Sequence, residues 1–281
     1  MTAAVQVAYW VRERELIRLQ REAGRPAPWT EDPILRAYRF CNVRREDDRV
    51  TRWLAQYWRA PYAQHPLLCV NMALARYFNR VDTLRFLGYQ EKWVPVRLLG
   101  RLLNARSGGA TLFHNAYMIS TCGASRDKLE HVVGALDGLA RALPDGPAAG
   151  DTLEGFCAKL RALEGFGPFL AGQIIADLKH APGNPLDEAP DFWSWAVPGP
   201  GSQRGLCWYF GRRTPFPERE FLPALNVMAS EVGALLAPSF RLEMQDWQNV
   251  MCEVSKYQRI LATGRGRRRY NPTPPQEAAC S

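Results

Sequence analysis

Residues 163–178 read LEGFGPFLAGQIIADL, and the two glycines around a single aromatic decide how the rest of the chain is read. A simple change of helix direction needs one glycine. Gly165 and Gly167, with Pro168 opening the next helix, predict a tight hairpin with bare backbone at a helix start, a natural seat for phosphate. On the N-terminal side lies the helical pattern TLEGFCAKLRAL. On the C-terminal side Leu170, Ile174 and Leu178 recur every fourth residue, with Ala171 and Ile175 beside them. The spacing predicts a helix-hairpin-helix in which Gly165, Phe166 and Gly167 meet DNA backbone without sequence preference.

The surrounding chain reads as helices throughout, so the expected fold is all-α. One helix is expected over about residues 3–22. TEDPILRAYRF restarts the helical pattern with Asp32 as cap and Pro33 at the first position, and Asp47 or Asp48 is placed to cap the next segment. LPDGPAAG at 143–150 is the clearest linker. Three regions follow: 1–142, helical; 151–262, carrying the hairpin and a last helix that packs back on the first; and 263–281, a basic tail. Residues 181–217, rich in proline, glycine and tryptophan, are expected to be irregular and to wall a site.

Composition narrows the function. A chain of 281 residues with 47% hydrophobic content suits a globular protein, and no apolar run is long enough to span a bilayer. The N-terminus lacks the pattern of a secretion signal, so a cytoplasmic protein is expected. The seven cysteines form no C-x-x-C pair and the four histidines lie far apart, which predicts no metal site and no cofactor. The net charge of +8, carried mainly by arginine, suits a polyanionic partner. Neither G-x-x-x-x-G-K-[ST] nor a Rossmann glycine fingerprint is present, which argues against a nucleotide kinase and a dinucleotide enzyme.

Several clusters can carry chemistry. Gln173 and Asp177, one turn apart, are expected to share a face able to read a base edge, with a solvated face as the plain alternative. Asp187 and Asp191 both follow the hairpin, the first favoured by the spacing of helix-hairpin-helix glycosylases and the second by its aromatic context. In MQDWQNVMCEVSKYQRIL, the row Asp246, Asn249, Glu253 and Lys256 runs beside an apolar stripe of Trp247, Val250, Val254, Tyr257 and Leu261. With Gln248, it reads as a pocket wall. Asn42, Arg44 and Arg45 stand at a turn suited to anions and carboxylates, unless the neighbouring charges simply pair with one another. Asn115 and Tyr117 are more polar than a core helix requires, and Arg204 lies in the irregular stretch expected to wall the site.

Taken together, PWTEDPILRAYRFCNVRREDDRVTRW, FHNAYMIS, the hairpin, WAVPGPGSQRGL and MQDWQNVMCEVSKYQR resemble the phage α-glutamyl/putrescinyl-thymine pyrophosphorylase family, over about residues 8–262. That resemblance implies a helical architecture like that of helix-hairpin-helix DNA glycosylases, shared with 5-hydroxymethyluracil DNA kinases. The activity implied is transfer of an amine, from an amino acid or polyamine, onto phosphorylated 5-hydroxymethyluracil in double-stranded DNA, with loss of phosphate or pyrophosphate. Such a reaction needs a carboxylate base, for which Asp191, Asp177 and Glu253 are the candidates. It also needs cations for the leaving group, Lys256 and the arginines among them. A thiol at Cys41 could instead promote departure by attacking the ring. A DNA glycosylase and a non-catalytic DNA-binding partner of a kinase are the competing readings.

Overall fold

The computed structural model describes residues 1–114, 127–266 and 270. These form twelve α-helices and no β-strand: α1 (Ala3–Glu22), α2 (Pro33–Ala37), α3 (Arg49–Leu54), α4 (Leu68–Phe78), α5 (Val81–Leu87), α6 (Pro95–Ser107), α7 (Lys128–Ala142), α8 (Leu153–Arg161), α9 (Pro168–Leu178), α10 (Pro200–Tyr209), α11 (Glu218–Gly233) and α12 (Met244–Thr263). A π-helical turn, Ala55–Arg59, continues α3. Local chemistry sets several helix starts. The Asp32 carboxylate accepts the amides of Ile34 and Leu35 at 2.8 Å, and Pro33 takes the first position of α2, where its missing N–H costs nothing.

The chain folds into two units, and their boundaries differ from those read in the sequence. One unit comprises Met1–Asp47 and the chain from Pro198 onward; the other is Asp48–Val197. The 143–150 linker therefore lies inside the second unit and divides nothing. The reason is packing: α8 and α9 on its far side lie against each other, and α9 also packs on α4 from its near side.

In the first unit α12 is central. It buries Trp247, Val250, Met251, Val254 and Ile260 against α10, α11 and α1, whereas Leu261, expected on the same stripe, is 59% exposed. Its closest neighbour is α10, a regular helix within the stretch expected to be irregular. The glycines that suggested a loop serve the packing instead. Gly201 and Gly205, four residues apart, face α12 so closely that a Cβ on Gly205 would collide with the Met251 carbonyl, and one on Gly201 with the Cys252 thiol.

In the second unit α4 is buried along its whole length and packs on α9 and α7. The hairpin between α8 and α9 turns at Gly165, whose φ of +90° is a conformation that side chains disfavour. A Cβ there would also lie 2.7 Å from both the Tyr77 hydroxyl and Ala135. Among the described residues, no helix is long and apolar enough to cross a membrane.

Candidate functional site

The first unit gathers the polar row of α12 against residues 39–45. Glu253 Oε2 accepts the Cys41 amide at 3.0 Å, and Asp246 Oδ1 accepts the Arg45 amide at 2.9 Å. Asn249 Nδ2 donates to the Asn42 carbonyl at 3.2 Å, and Lys256 Nζ donates to the Arg39 carbonyl. One helix face thus supplies partners for the backbone of an irregular segment.

A residue the sequence reading missed completes this grip. Arg14 of α1, 6% exposed, donates through Nε to the Cys41 carbonyl at 2.9 Å. Its Nη2 reaches the Phe40 carbonyl at 3.1 Å and Asn42 Oδ1 at 2.9 Å. The signal was present. Arg14 occupies the apolar register of α1 with Val7, Trp10, Val11 and Ile17, and a charge at a core-facing position needs buried partners. Also unforeseen is the second task of Asp32. Its Oδ2 accepts the hydroxyls of Tyr257 at 2.6 Å and Tyr9 at 3.2 Å, tying α12 and α1 to the start of α2. Burial, and then the Asp32 carboxylate, push both phenols up.

These bonds leave part of the polar row available. Among the described residues, the second oxygen of Glu253 accepts no hydrogen bond, while Lys256 stands 3.4 Å from the first and 4.4 Å over the ring of Phe40. Cys252, one residue before Glu253, feels Glu253, Arg204 and Lys256 together. Burial first and Glu253 second push its thiol up to about 11, with the two cations opposing. Arg204 is exposed on α10, and Gln248 donates to Ser202 Oγ of the same helix at 3.2 Å. Arg44 sits over the ring of Phe240 and pairs with Glu15 at 3.0 Å. Although burial opposes ionisation, Arg18 and Arg44 hold Glu15 below the usual carboxylate range. Charges at the turn thus pair partly with α1, as the plain reading of that cluster had it.

The remaining sequence candidates lie in the second unit, and several have other work. Asp177 is wholly buried and forms a two-pronged ion pair with Arg76, so it cannot share a solvent-facing base-reading surface with the half-buried Gln173. The helix turned this way because Arg76, itself in the buried α4, requires a carboxylate. Both oxygens of Asp191 accept amides at the start of α8, Leu153 at 2.8 Å and Glu154 at 3.0 Å, so this carboxylate is a helix cap rather than a pocket base. Asp187 accepts the Gly183 amide at 2.8 Å within a local turn. In the hairpin, Phe166 is 3% exposed with its ring 5.7 Å from Tyr77, and the Gly165 carbonyl accepts the Tyr77 hydroxyl at 2.9 Å. Those two residues face inward. Gly167, Pro168 and Phe169 are exposed, with nothing near the position of a Gly167 Cβ. Asn115, Tyr117 and most of the basic tail lie outside the described residues.

Residues 2–265 match the family model described as 5-hmdU DNA kinase, helical domain. The chain belongs to this family. Among curated proteins, the 5-hmdU DNA kinase of Bacillus phage SP10 is 26% identical over 280 residues, an alignment covering 86% of this chain and 42% of the phage protein. The chain thus spans less than half the length of the curated relative it matches. No solved structure matches it. The match to a helical domain agrees with the all-helical described residues, and it supports the helical module of the kinase family without confirming the pyrophosphorylase resemblance. Among the described residues no group of three or more His, Cys, Asp or Glu side chains is placed to hold a metal ion.

Proposed function

We propose that this chain is a base-handling module of thymidine hypermodification that acts on 5-hydroxymethyluracil in DNA after its phosphorylation, exchanging the phosphate for an amine. The observation that carries the proposal is the half-committed carboxylate of Glu253, with one oxygen fixed by the Cys41 amide, the other accepting no hydrogen bond among the described residues, and Lys256 at 3.4 Å.

In this reading the target base leaves the duplex, at roughly a few kcal/mol, to present its 5-substituent. The bond from the exocyclic carbon to the phosphate oxygen breaks, and the phosphate departs with the electron pair. Lys256 and Arg204 neutralise the leaving anion while the pyrimidine ring delocalises the cation. The amine nitrogen of an amino acid or polyamine then forms the new C–N bond, and the open oxygen of Glu253 takes its proton. Exposed backbone at Gly167 and the first turn of α9 holds DNA phosphate, the reaction taking place in the cytoplasm of a phage-infected cell.

A second reading rests on the phage relative, which is named a kinase and is far longer than this chain. The module would then bind 5-hydroxymethyluracil for phosphorylation elsewhere, without chemistry of its own. Incubating duplex DNA containing 5-phosphomethyluracil with the protein and pooled amino acids and polyamines, followed by mass spectrometry of nucleosides, separates the two. An aminomethyl-type nucleoside supports transfer. Preferential binding of 5-hydroxymethyluracil duplex over thymine duplex without such a product supports the second reading, and abasic sites would show a glycosylase.

A further inference from the structure

The second unit carries a basic cleft that the proposed chemistry does not use. It lies between the loop after α5 and the start of α6, has a volume of about 340 Å³, and is lined by Tyr89, Lys92, Arg97 and Arg101 among others. Lys92 and Arg97 make no ion pair or side-chain hydrogen bond among the described residues. Glu91 is the acid in the lining, and its carboxylate accepts the Tyr62 hydroxyl at 3.1 Å. The balance is positive, with two cations left to solvent.

The cleft is held in shape by bonds that do not consume those cations. Arg101 donates to the Leu87 carbonyl at 2.9 Å and to the Phe86 carbonyl, closing the floor, and lies 5.0 Å over the ring of Phe86. Trp93, next to Lys92, donates to Asp137 of α7 at 3.0 Å and so pins the loop. Arg97 and Arg101 are one turn apart on α6, on the same ridge. Exposed apolar groups flank them: Phe86 and Val94 at 46% and Val96 at 82%. Unpaired cations with apolar neighbours suit a phosphodiester, whose phosphate is charged and whose sugar is not.

Resting on the reading that the protein engages DNA, we propose that this cleft is a second seat for the DNA backbone, in addition to the hairpin. Helix α7 connects the two. It packs against α6, and its Ala135 lies where a Cβ on Gly165 of the hairpin would stand. Both contacts therefore belong to one folded unit.

The test is the salt dependence of binding to an unmodified duplex, measured by fluorescence anisotropy for wild type, Lys92→Ala/Arg97→Ala, Gly167→Asp and Arg85→Ala. Each phosphate contact contributes roughly 0.9 to the slope of log K against log salt. The double variant is expected to lower that slope by roughly 1–2 and to weaken binding about ten-fold near physiological salt, with an unchanged thermal midpoint because both side chains are exposed. Arg85 is an exposed cation outside the cleft, and its variant is expected to leave the slope nearly unchanged. Wild-type slope in the double variant, or an equal loss in Arg85→Ala, overturns the cleft. If Gly167→Asp weakens binding while the double variant does not, the DNA reading stands and the cleft alone fails. Absence of DNA binding by the wild type overturns both.

Discussion

One oxygen of the Glu253 carboxylate holds the amide of Cys41 at 3.0 Å across 212 positions of sequence, and the other accepts no hydrogen bond among the described residues. Glu253 is therefore a structural anchor and, in the proposed reaction, the base. A glutamine keeps an oxygen for the amide while losing basicity. Glu253→Gln is expected to retain its unfolding midpoint and to lose amine transfer by roughly 10²–10⁴-fold, the usual worth of a general base. Glu253→Ala, leaving the Cys41 amide without its partner, is expected to cost about 0.5–1.5 kcal/mol in denaturant unfolding as well. Wild-type transfer by the glutamine variant would remove Glu253 from the chemistry.

Asp191 is expected to matter for stability and not for reaction. Its two oxygens receive the first amides of α8, so Asp191→Asn leaves one acceptor and Asp191→Ala leaves none. The alanine variant is expected to lose about 1 kcal/mol, as measured by urea unfolding, with product formation at saturating DNA unchanged.

The Arg76–Asp177 pair is buried on both sides, at 3% and 0% side-chain exposure. Removing one partner strands the other charge. Asp177→Ala is expected to cost about 3–5 kcal/mol. Replacing both residues with apolar ones is expected to recover much of that loss. A double variant no more stable than Asp177→Ala would show that the pair is not the source of the effect.

Two glycines make opposite forecasts. Gly205→Ala would drive a methyl group into the Met251 carbonyl and is expected to lower stability by about 1–3 kcal/mol or more. Gly167→Ala meets open space at φ −69° and is expected to change stability by no more than about 0.5 kcal/mol. Thermal unfolding of the two variants side by side checks the ranking.

Cys69 is fully buried in the second unit, and burial alone pushes its thiol up from 9.0 to about 12. Its folded pKa lies above the unfolded one, so the neutral thiol's contribution is complete below pH 9 and is lost as pH rises from 9 towards 12. Urea midpoints at pH 8, 9 and 10 are expected to fall over the last step, and Cys69→Ala is expected to flatten that fall.

The helical class, the start of α2 at Asp32 and Pro33, and the hairpin turn at Gly165 were all legible in the sequence. Each rests on neighbours within a few positions: apolar spacing, a capping side chain, a glycine where φ is positive. The pairing of the α12 row with residues 39–45 was legible only as two polar clusters of suitable chemistry. What each cluster bonds depended on which side of α12 met which backbone, a matter of long-range packing. The same limit misread α10, because Gly201 and Gly205 are as fitting in a loop as in a helix, and only the approach of α12 shows what their missing side chains are for. Asp177 and Asp191 carried the chemistry of a base in sequence. The tertiary structure gave them to Arg76 and to the amides of α8, because a buried arginine and an uncapped helix each need a carboxylate, and these were the ones the fold brought near.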